Sequence, residues 1–227
     1  MKIKILDISD KKMKFLLTDS DIGMANALRR ILMVELPILS IEDVDIEENN
    51  SGLFDELLAH RLGLIPLTFD PKMYNLRDEC KCSGEGCSQC QVTLVVEKQG
   101  PCTVNTSDMK STDDTVKPSD SNIPIVELLD EQQVKFEATA ELGFGKDHMK
   151  FQGAVVGYIN LYNIKDPNGC EEHNVEKKSG KVLLAPEDRC SKCSKLLEKD
   201  AEPEESSFLM KLESTSGLSP ETLLKNA

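Results

Sequence analysis

The stretch TDSDIGMANALRRILMVELP, residues 18–37, is where the period of the chain changes. Ahead of it apolar residues alternate with polar ones. Within it Met24, Leu28, Ile31 and Leu32 recur every three to four residues, which places them on one face of a helix. Asp19 or Ser20 stands where a cap is needed, and Pro37 ends the helix. Arg29 and Arg30 interrupt the apolar run, roughly 100° apart around the axis. A solvated face accounts for one of them; a planar guanidinium reaching a partner's carboxylate or backbone accounts for both.

Outward from that helix the chain is mostly strand. Ile3, Ile5 and Ile8 lie before a turn at Ser9-Asp10-Lys11, and Met13, Phe15 and Leu17 alternate after it, which predicts a hairpin. Residues 39–48 return to strand, with Val44 and Ile46 on one face and acidic residues on the other. In SGLFDELLAHRLGLIPL (51–67) a second helix is expected, capped by Ser51, burying Leu53, Phe54, Leu57 and Leu58, and terminated at Gly63. QVTLVVEKQGP (91–101) reads as a strand, and the polar residues 103–122 as an exposed loop. Val134, Phe136, Ala138, Ala140 and Leu142 alternate cleanly. GAVVGYINLYNI (153–164) reads as a strand buried on both faces. Residues 165–204 carry many charges and little apolar periodicity, and form a small excursion that leans on something other than a core. SSFLMKLEST (206–215) restores alternation, and SPETLLKNA (219–227) starts a helix with Ser219 as cap and Pro220 in its first turn. Few helices among many strands, without regular alternation, give an α+β class.

Bulk properties exclude several functions. Of 227 residues, 40 are acidic and 27 are Lys or Arg, a formal net charge of -13. Gripping nucleic-acid phosphate runs on Lys and Arg, so direct DNA binding is not expected, although a place in a nucleic-acid machine stays open. No run of about 18 apolar residues exists to span a membrane. MKIKILDISDKK at the start alternates like a strand and lacks the apolar core of a signal peptide. Eight cysteines without an export signal point to the reducing cytoplasm, where clustered thiols favour metal over disulfide.

Half of those cysteines sit in CKCSGEGCSQC (80–90). The spacing C-x-C-x4-C-x2-C offers Cys80, Cys82, Cys87 and Cys90 as four thiolates, the closed shell of a structural zinc site. Gly84 and Gly86 fall where the chain must turn sharply. Cys87 and Cys90 alone would read as a dithiol redox pair, but such a pair opens a helix and here a strand follows. The spacing is fairly specific for metal and less so for zinc over iron. Cys170, Cys190 and Cys193 form a second set. They could hold an iron–sulfur cluster, or a zinc with His173 as fourth ligand, or nothing.

Signatures of enzymes are missing. Glu171-Glu172-His173 is not the zinc-protease motif, the paired motifs of a zinc deaminase do not occur, and no glycine loop cradles phosphate. Asp55, Glu56 and His60 resemble a catalytic cluster on paper, but Glu56 and His60, four apart on a short helix, read as a solvated or interface face.

Residues 26–67, NALRRILMVELPILSIEDVDIEENNSGLFDELLAHRLGLIPL, resemble the α-type subunits of multisubunit RNA polymerases, in particular the D subunit of archaeal polymerases and its eukaryotic counterpart, the third-largest subunit of polymerase II. NALRRI (26–31) is similar to the α-motif helix of that family, and LAHRLGLIPL (58–67) to the opening of its inserted domain. GKDHMKFQGAVVGY (145–158) and FLMKLESTSGLSPETLL (208–224) extend the likeness from end to end.

The resemblance implies an assembly platform without a catalytic site of its own, within a nucleotidyltransferase complex. A discontinuous dimerisation domain, 1–45 plus 205–227, would flank an insert domain at 46–164 and a small, degenerate ferredoxin-like excursion at 165–204, the last favouring an archaeal source. Partners would be the L and N subunits and the second-largest subunit, met through Asn26, Leu28, Arg29, Arg30 and Ile31, with the two arginines facing the second-largest subunit. The zinc loop of the eukaryotic relatives has nearly the spacing of Cys80, Cys82, Cys87 and Cys90, with one extra residue here between the second and third. An iron–sulfur cluster would use Cys170, Cys190 and Cys193 with a fourth cysteine at position 196, where this chain has Leu196. The family also implies a longer last helix than the one that begins at Ser219. The rival reading is an independent iron–sulfur electron-transfer protein.

Overall fold

Alternation at the start of the chain produces the hairpin it predicts. In the computed structural model, which describes residues 1–165, 170–178, 181–186 and 190–227, strands β1 (Lys2–Ile8) and β2 (Lys12–Thr18) pair antiparallel around a turn closed by Ser9 N–H on the Lys12 carbonyl at 2.8 Å. Met13, Phe15 and Leu17 are buried, and so is Leu16, so β2 is covered on both faces, whereas all of β1 is exposed.

Helix α1 (Ile22–Arg30) is capped by Asp21, not by Asp19 or Ser20: the Asp21 carboxylate accepts the Met24 N–H at 2.7 Å. Asp19 is occupied in ending β2, with a left-handed φ of 55°. The buried face also differs from expectation, being set by what packs against the helix. Ala25, Leu28 and Leu32 point inward, Ile31 is half-buried and Met24 is exposed. A π-helical turn at Ile31–Glu35 ends the element ahead of Pro37.

The chain divides into two units, residues 1–32, 155–213 and 227 in one, and 33–154 with 214–226 in the other. The second unit holds β3 (Pro37–Asn49), α2 (Asp55–Gly63), β4 (Leu67–Thr68), β5 (Gln91–Gln99), β6 (Cys102–Asn105), β7 (Lys110–Ser111), β8 (Lys117–Pro118), β9 (Pro124–Leu128) and β10 (Gln133–Phe144). Its main sheet runs β3-β10-β5-β7, with β4-β8 and β6-β9 as two-stranded companions. Strand β10 lies central, its five alternating residues Val134 to Leu142 all buried; the first four are paired on either side, Ala138 opposite both Val44 and Leu94, and Leu142 on the β3 side opposite Leu39.

Three expectations are corrected in this unit. Helix α2 starts at Asp55 and has no side-chain cap; Ser51 instead donates its hydroxyl to the Asn49 side chain at 2.7 Å in the preceding turn. Leu58 and Leu62 form its buried stripe, while Phe54 and Leu57 face solvent at 76% and 51% exposure. Gly63 closes the last turn, and Leu64 is the cap. Residues 103–122 are built, not loose: Val104, Thr106, Met109 and Val116 are buried, and the Thr106 hydroxyl donates to the Asp120 carbonyl at 2.5 Å. Polar side chains here satisfy backbone groups, which composition alone reads as loop.

The first unit continues with β11 (Ala154–Ile164), β12 (Asn174–Lys178), β13 (Lys181–Leu184), α3 (Ser191–Asp200) and β14 (Ala201–Ser214), in a sheet ordered β1-β2-β14-β11-β13-β12. Strand β11 is not buried on both faces: Val155 is half exposed, and Gly157 open to solvent. The 165–204 segment does have an apolar nucleus, a small cluster of Ile164, Cys170, Val182, Leu184 and Cys193. Thiols fill places where aliphatic side chains usually sit, which is why hydrophobic periodicity is hard to read there. Its portions at 166–169, 179–180 and 187–189 lie outside the described residues. Helix α4 (Pro220–Asn226), in the second unit, takes its expected cap, the Ser219 hydroxyl accepting the Thr222 N–H at 3.2 Å.

Candidate functional site

The loop from Cys80 to Cys90 runs between a 3-10 turn at Arg77–Glu79 and strand β5. Left-handed backbone at Ser83, Gly84 and Gly86 (φ 55°, 85° and 93°) folds it back on itself. At Gly86 the φ of 93° is one that side-chain-bearing residues rarely adopt, and an added Cβ would also have to push aside the end of the Gln91 side chain. Two tight turns, Ser83 N–H to Cys80 carbonyl at 3.1 Å and Cys90 N–H to Cys87 carbonyl at 3.0 Å, bring the two thiol pairs face to face.

Four sulfurs converge. Sγ separations are 3.6 Å for Cys80–Cys87, 3.7 Å for Cys82–Cys90 and 3.9 Å for Cys87–Cys90. Zinc–sulfur bonds of about 2.3 Å in a tetrahedron give sulfur–sulfur edges of about 3.8 Å, so the loop has the size of a single four-thiolate ion site. Its electrostatics are uneven. The Gly86 N–H holds the Cys82 thiol down to about 6, while burial pushes Cys90 up to about 12.

A second group lies in the other unit. Cys170, His173, Cys190 and Cys193 present donor atoms all within 4.8 Å of one another. The His173 Nδ1 is 3.4 Å from the Cys170 sulfur and 3.2 Å from that of Cys193, and the Cys170 and Cys190 sulfurs are 3.8 Å apart. Cys190 is the cap residue of α3, and the Cys193 N–H lowers its thiol to about 6. Leu196 packs against the apolar cluster on the same helix. Each of the two groups could hold one metal ion, and closed shells of this kind leave no open position for a substrate.

Comparison with known proteins decides the lineage. Residues 44–163 match the RNA polymerase Rpb3/RpoA insert domain. DNA-directed RNA polymerase subunit Rpo3 of Methanosarcina acetivorans is 36% identical over 247 residues, covering 100% of this chain and 92% of that one. The Rpo3 of Methanosphaera stadtmanae is 35% identical, covering 97% and 90%. That of Natronomonas pharaonis is 42% identical over 165 residues, covering 72% of this chain and 62% of its own.

The chain belongs to the Rpo3 family of RNA polymerase subunits.

Within this Rpo3-family chain the remaining candidate residues fall into place. Arg29 and Arg30 end α1, Arg30 exposed and Arg29 half-buried; Asn26 is half-buried, and Leu28 is turned into the core of its own unit. Glu56 and His60 are both exposed on α2, and Asp55 accepts a hydrogen bond from the Asn49 amide at 2.7 Å, an ordinary surface arrangement. No helix among the described residues is long and apolar enough to cross a membrane. Residue type alone misses the pairing of Arg77 with Glu141, a contact that only the folded sheet creates. Of the alternatives open for the second cysteine set, the fold brings His173 into register with the three thiols. Its spacing signal, Cys170-x2-His173 ahead of Cys190-x2-Cys193, is present in the sequence.

Proposed function

We propose that this chain is a non-catalytic subunit of a DNA-directed RNA polymerase, on which the enzyme is assembled. The observation that carries this is its likeness to Rpo3 along its whole length, 36% identical to a relative of which 92% is covered. Relatives of that kind give no support to an independent electron-transfer role.

Surface chemistry agrees with a platform. In the first unit Ile3, Ile5, Leu6 and Ile8 on β1 and Ile22 and Met24 on α1 stand exposed, more apolar surface than a solvated edge strand and helix ordinarily carry. In our reading this is the dimerisation face, formed by residues 1–45 with 205–227, and its partner is the small α-like L subunit. The N subunit and the second-largest subunit complete the contacts, the latter through Arg29 and Arg30, with Asn26 and Ile31 beside them. Residues 46–164 are the insert domain, stapled by zinc at Cys80, Cys82, Cys87 and Cys90, and 165–204 is a ferredoxin-like excursion. Zinc there would hold a polar loop in shape and supply no reaction chemistry. The assembly would work in the cytoplasm, without a grip on DNA by this acidic chain.

Coexpression with the L subunit tests the reading. A single co-eluting heterodimer is expected, and Ile22→Lys with Met24→Lys should abolish it while leaving the circular dichroism of the chain unchanged. Separate elution of the two wild-type proteins would overturn it.

A further inference from the structure

We infer that Cys170, His173, Cys190 and Cys193 form a mononuclear zinc site of three thiolates and one imidazole, in place of an iron–sulfur cluster. A cluster fits these residues poorly. A four-iron cluster is held by four cysteines, and the fourth position, Leu196, is an aliphatic side chain packed into the apolar nucleus. A cluster also needs its ligands spread around a cube of iron and sulfide, whereas the four donor atoms here lie within 4.8 Å of one another.

A single zinc fits them well. Bonds of about 2.3 Å to sulfur and about 2.0 Å to nitrogen give tetrahedral edges of about 3.8 Å between sulfurs and about 3.5 Å between sulfur and nitrogen. The observed edges are 3.8 Å for Cys170–Cys190, 3.4 Å for Cys170–His173 and 3.2 Å for His173–Cys193. The spacing is also that of zinc. Two pairs, each with two residues between ligands, are separated by residues 174–189, inside the range of paired zinc knuckles. Local backbone holds both pairs: His173 N–H bonds the Cys170 carbonyl at 2.9 Å, and Ser194 N–H bonds the Cys190 carbonyl at 3.1 Å in the first turn of α3.

The site has a structural task. Its ligands come from the turn before β12 and from the start of α3, two segments joined, among the described residues, by a small cluster of buried side chains. A ten-residue helix is marginal by itself, and an ion clipping its first turn to the β12 turn supplies what that small nucleus lacks.

The test is metal and acid-labile sulfide analysis of the full chain, purified anaerobically from cells supplied with both iron and zinc. Two zinc ions per chain and no sulfide are expected. His173→Gln should speed the release of one of them to a chelator at least about ten-fold, and His173→Cys should retain both. Cobalt replacing zinc reports the ligands directly: wild-type protein should show a three-sulfur, one-nitrogen spectrum beside the four-sulfur one, and His173→Cys should convert the first into the second. Iron with stoichiometric sulfide overturns the proposal. So does a single zinc per chain, or a cobalt spectrum that His173→Gln leaves unchanged. If neither variant folds, the metal count and cobalt spectrum of the wild-type chain decide alone.

Discussion

Arg77 clamps the cysteine loop to the central strand of its sheet: its Nη1 lies 3.1 Å from the Oε2 of Glu141 on β10, while its Nε donates to the Gly84 carbonyl at 3.0 Å. One guanidinium thereby ties the tip of the loop to the most deeply paired strand of the unit. The planar fork suits this double duty, which a lysine cannot perform.

Loss of that clamp should loosen the loop without unfolding the sheet. Arg77→Lys and Glu141→Gln are each expected to accelerate metal release from Cys80–Cys90 to a chelator. The double variant should release metal no faster than the faster single one, because both remove the same link. Additive acceleration would mean that the two side chains act separately.

The loop itself should depend on its ion. Cys87→Ser is expected to remove one metal equivalent, and the missing ion should expose the loop to protease, since few apolar side chains hold it otherwise. Cys102, half-buried on β6 and a member of neither group of thiols, provides the control. Cys102→Ser should leave metal content and protease resistance unchanged.

Acid should act through Asp108. Its carboxylate takes a 2.7 Å ion pair from Lys98 and the Asn105 N–H at 2.9 Å. The Lys98 bond, then the Asn105 bond, hold it below the ordinary 3.8. A depressed folded value means the stabilisation is present above the ordinary value and disappears as pH falls through the folded one. Asp108→Asn should therefore cost about 1 kcal/mol near neutrality. The difference from wild type should close below pH 3.8, as read from denaturant melts across that range.

At Gly217 the segment before α4 passes tightly against the backbone of β4. A Cβ added there would meet the Leu67 carbonyl oxygen at 2.0 Å, and backbone cannot step aside as a side chain can. Gly→Ala substitutions at unhindered positions stabilise slightly. Gly217→Ala should instead destabilise, by about 1–3 kcal/mol. Thermal melts showing an unchanged or raised midpoint would contradict the contact.

Much of this fold is local and so legible. The hairpin, the alternation of β10 and the Ser219 cap each depend on residues a few positions apart, and a period or a turn residue reports them. The loop at 80–90 belongs with these, because four ligands within eleven residues can reach one ion by bending the chain at Gly84 and Gly86. Phe54 and Leu57 were illegible for the opposite reason. Helical period says that they share a side with other apolar residues, but only the packing of α2 decides that Leu58 and Leu62 are buried and these two are not. Residues 103–122 misled because polar side chains that bond backbone have the same composition as those that bond water.

By itself, then, the sequence determined the α+β class, the succession of the main strands along the chain, the close spacing of the first four thiols and, through its resemblance, the lineage. Those properties are carried by residue type and short spacing. Tertiary structure decided which carboxylate caps α1, which apolar side chains remain in water, and that His173 rather than residue 196 completes the second donor set. Each of those depends on what lies opposite a side chain in space, and burial, ligand geometry and capping take their energies from neighbours that the linear order does not name.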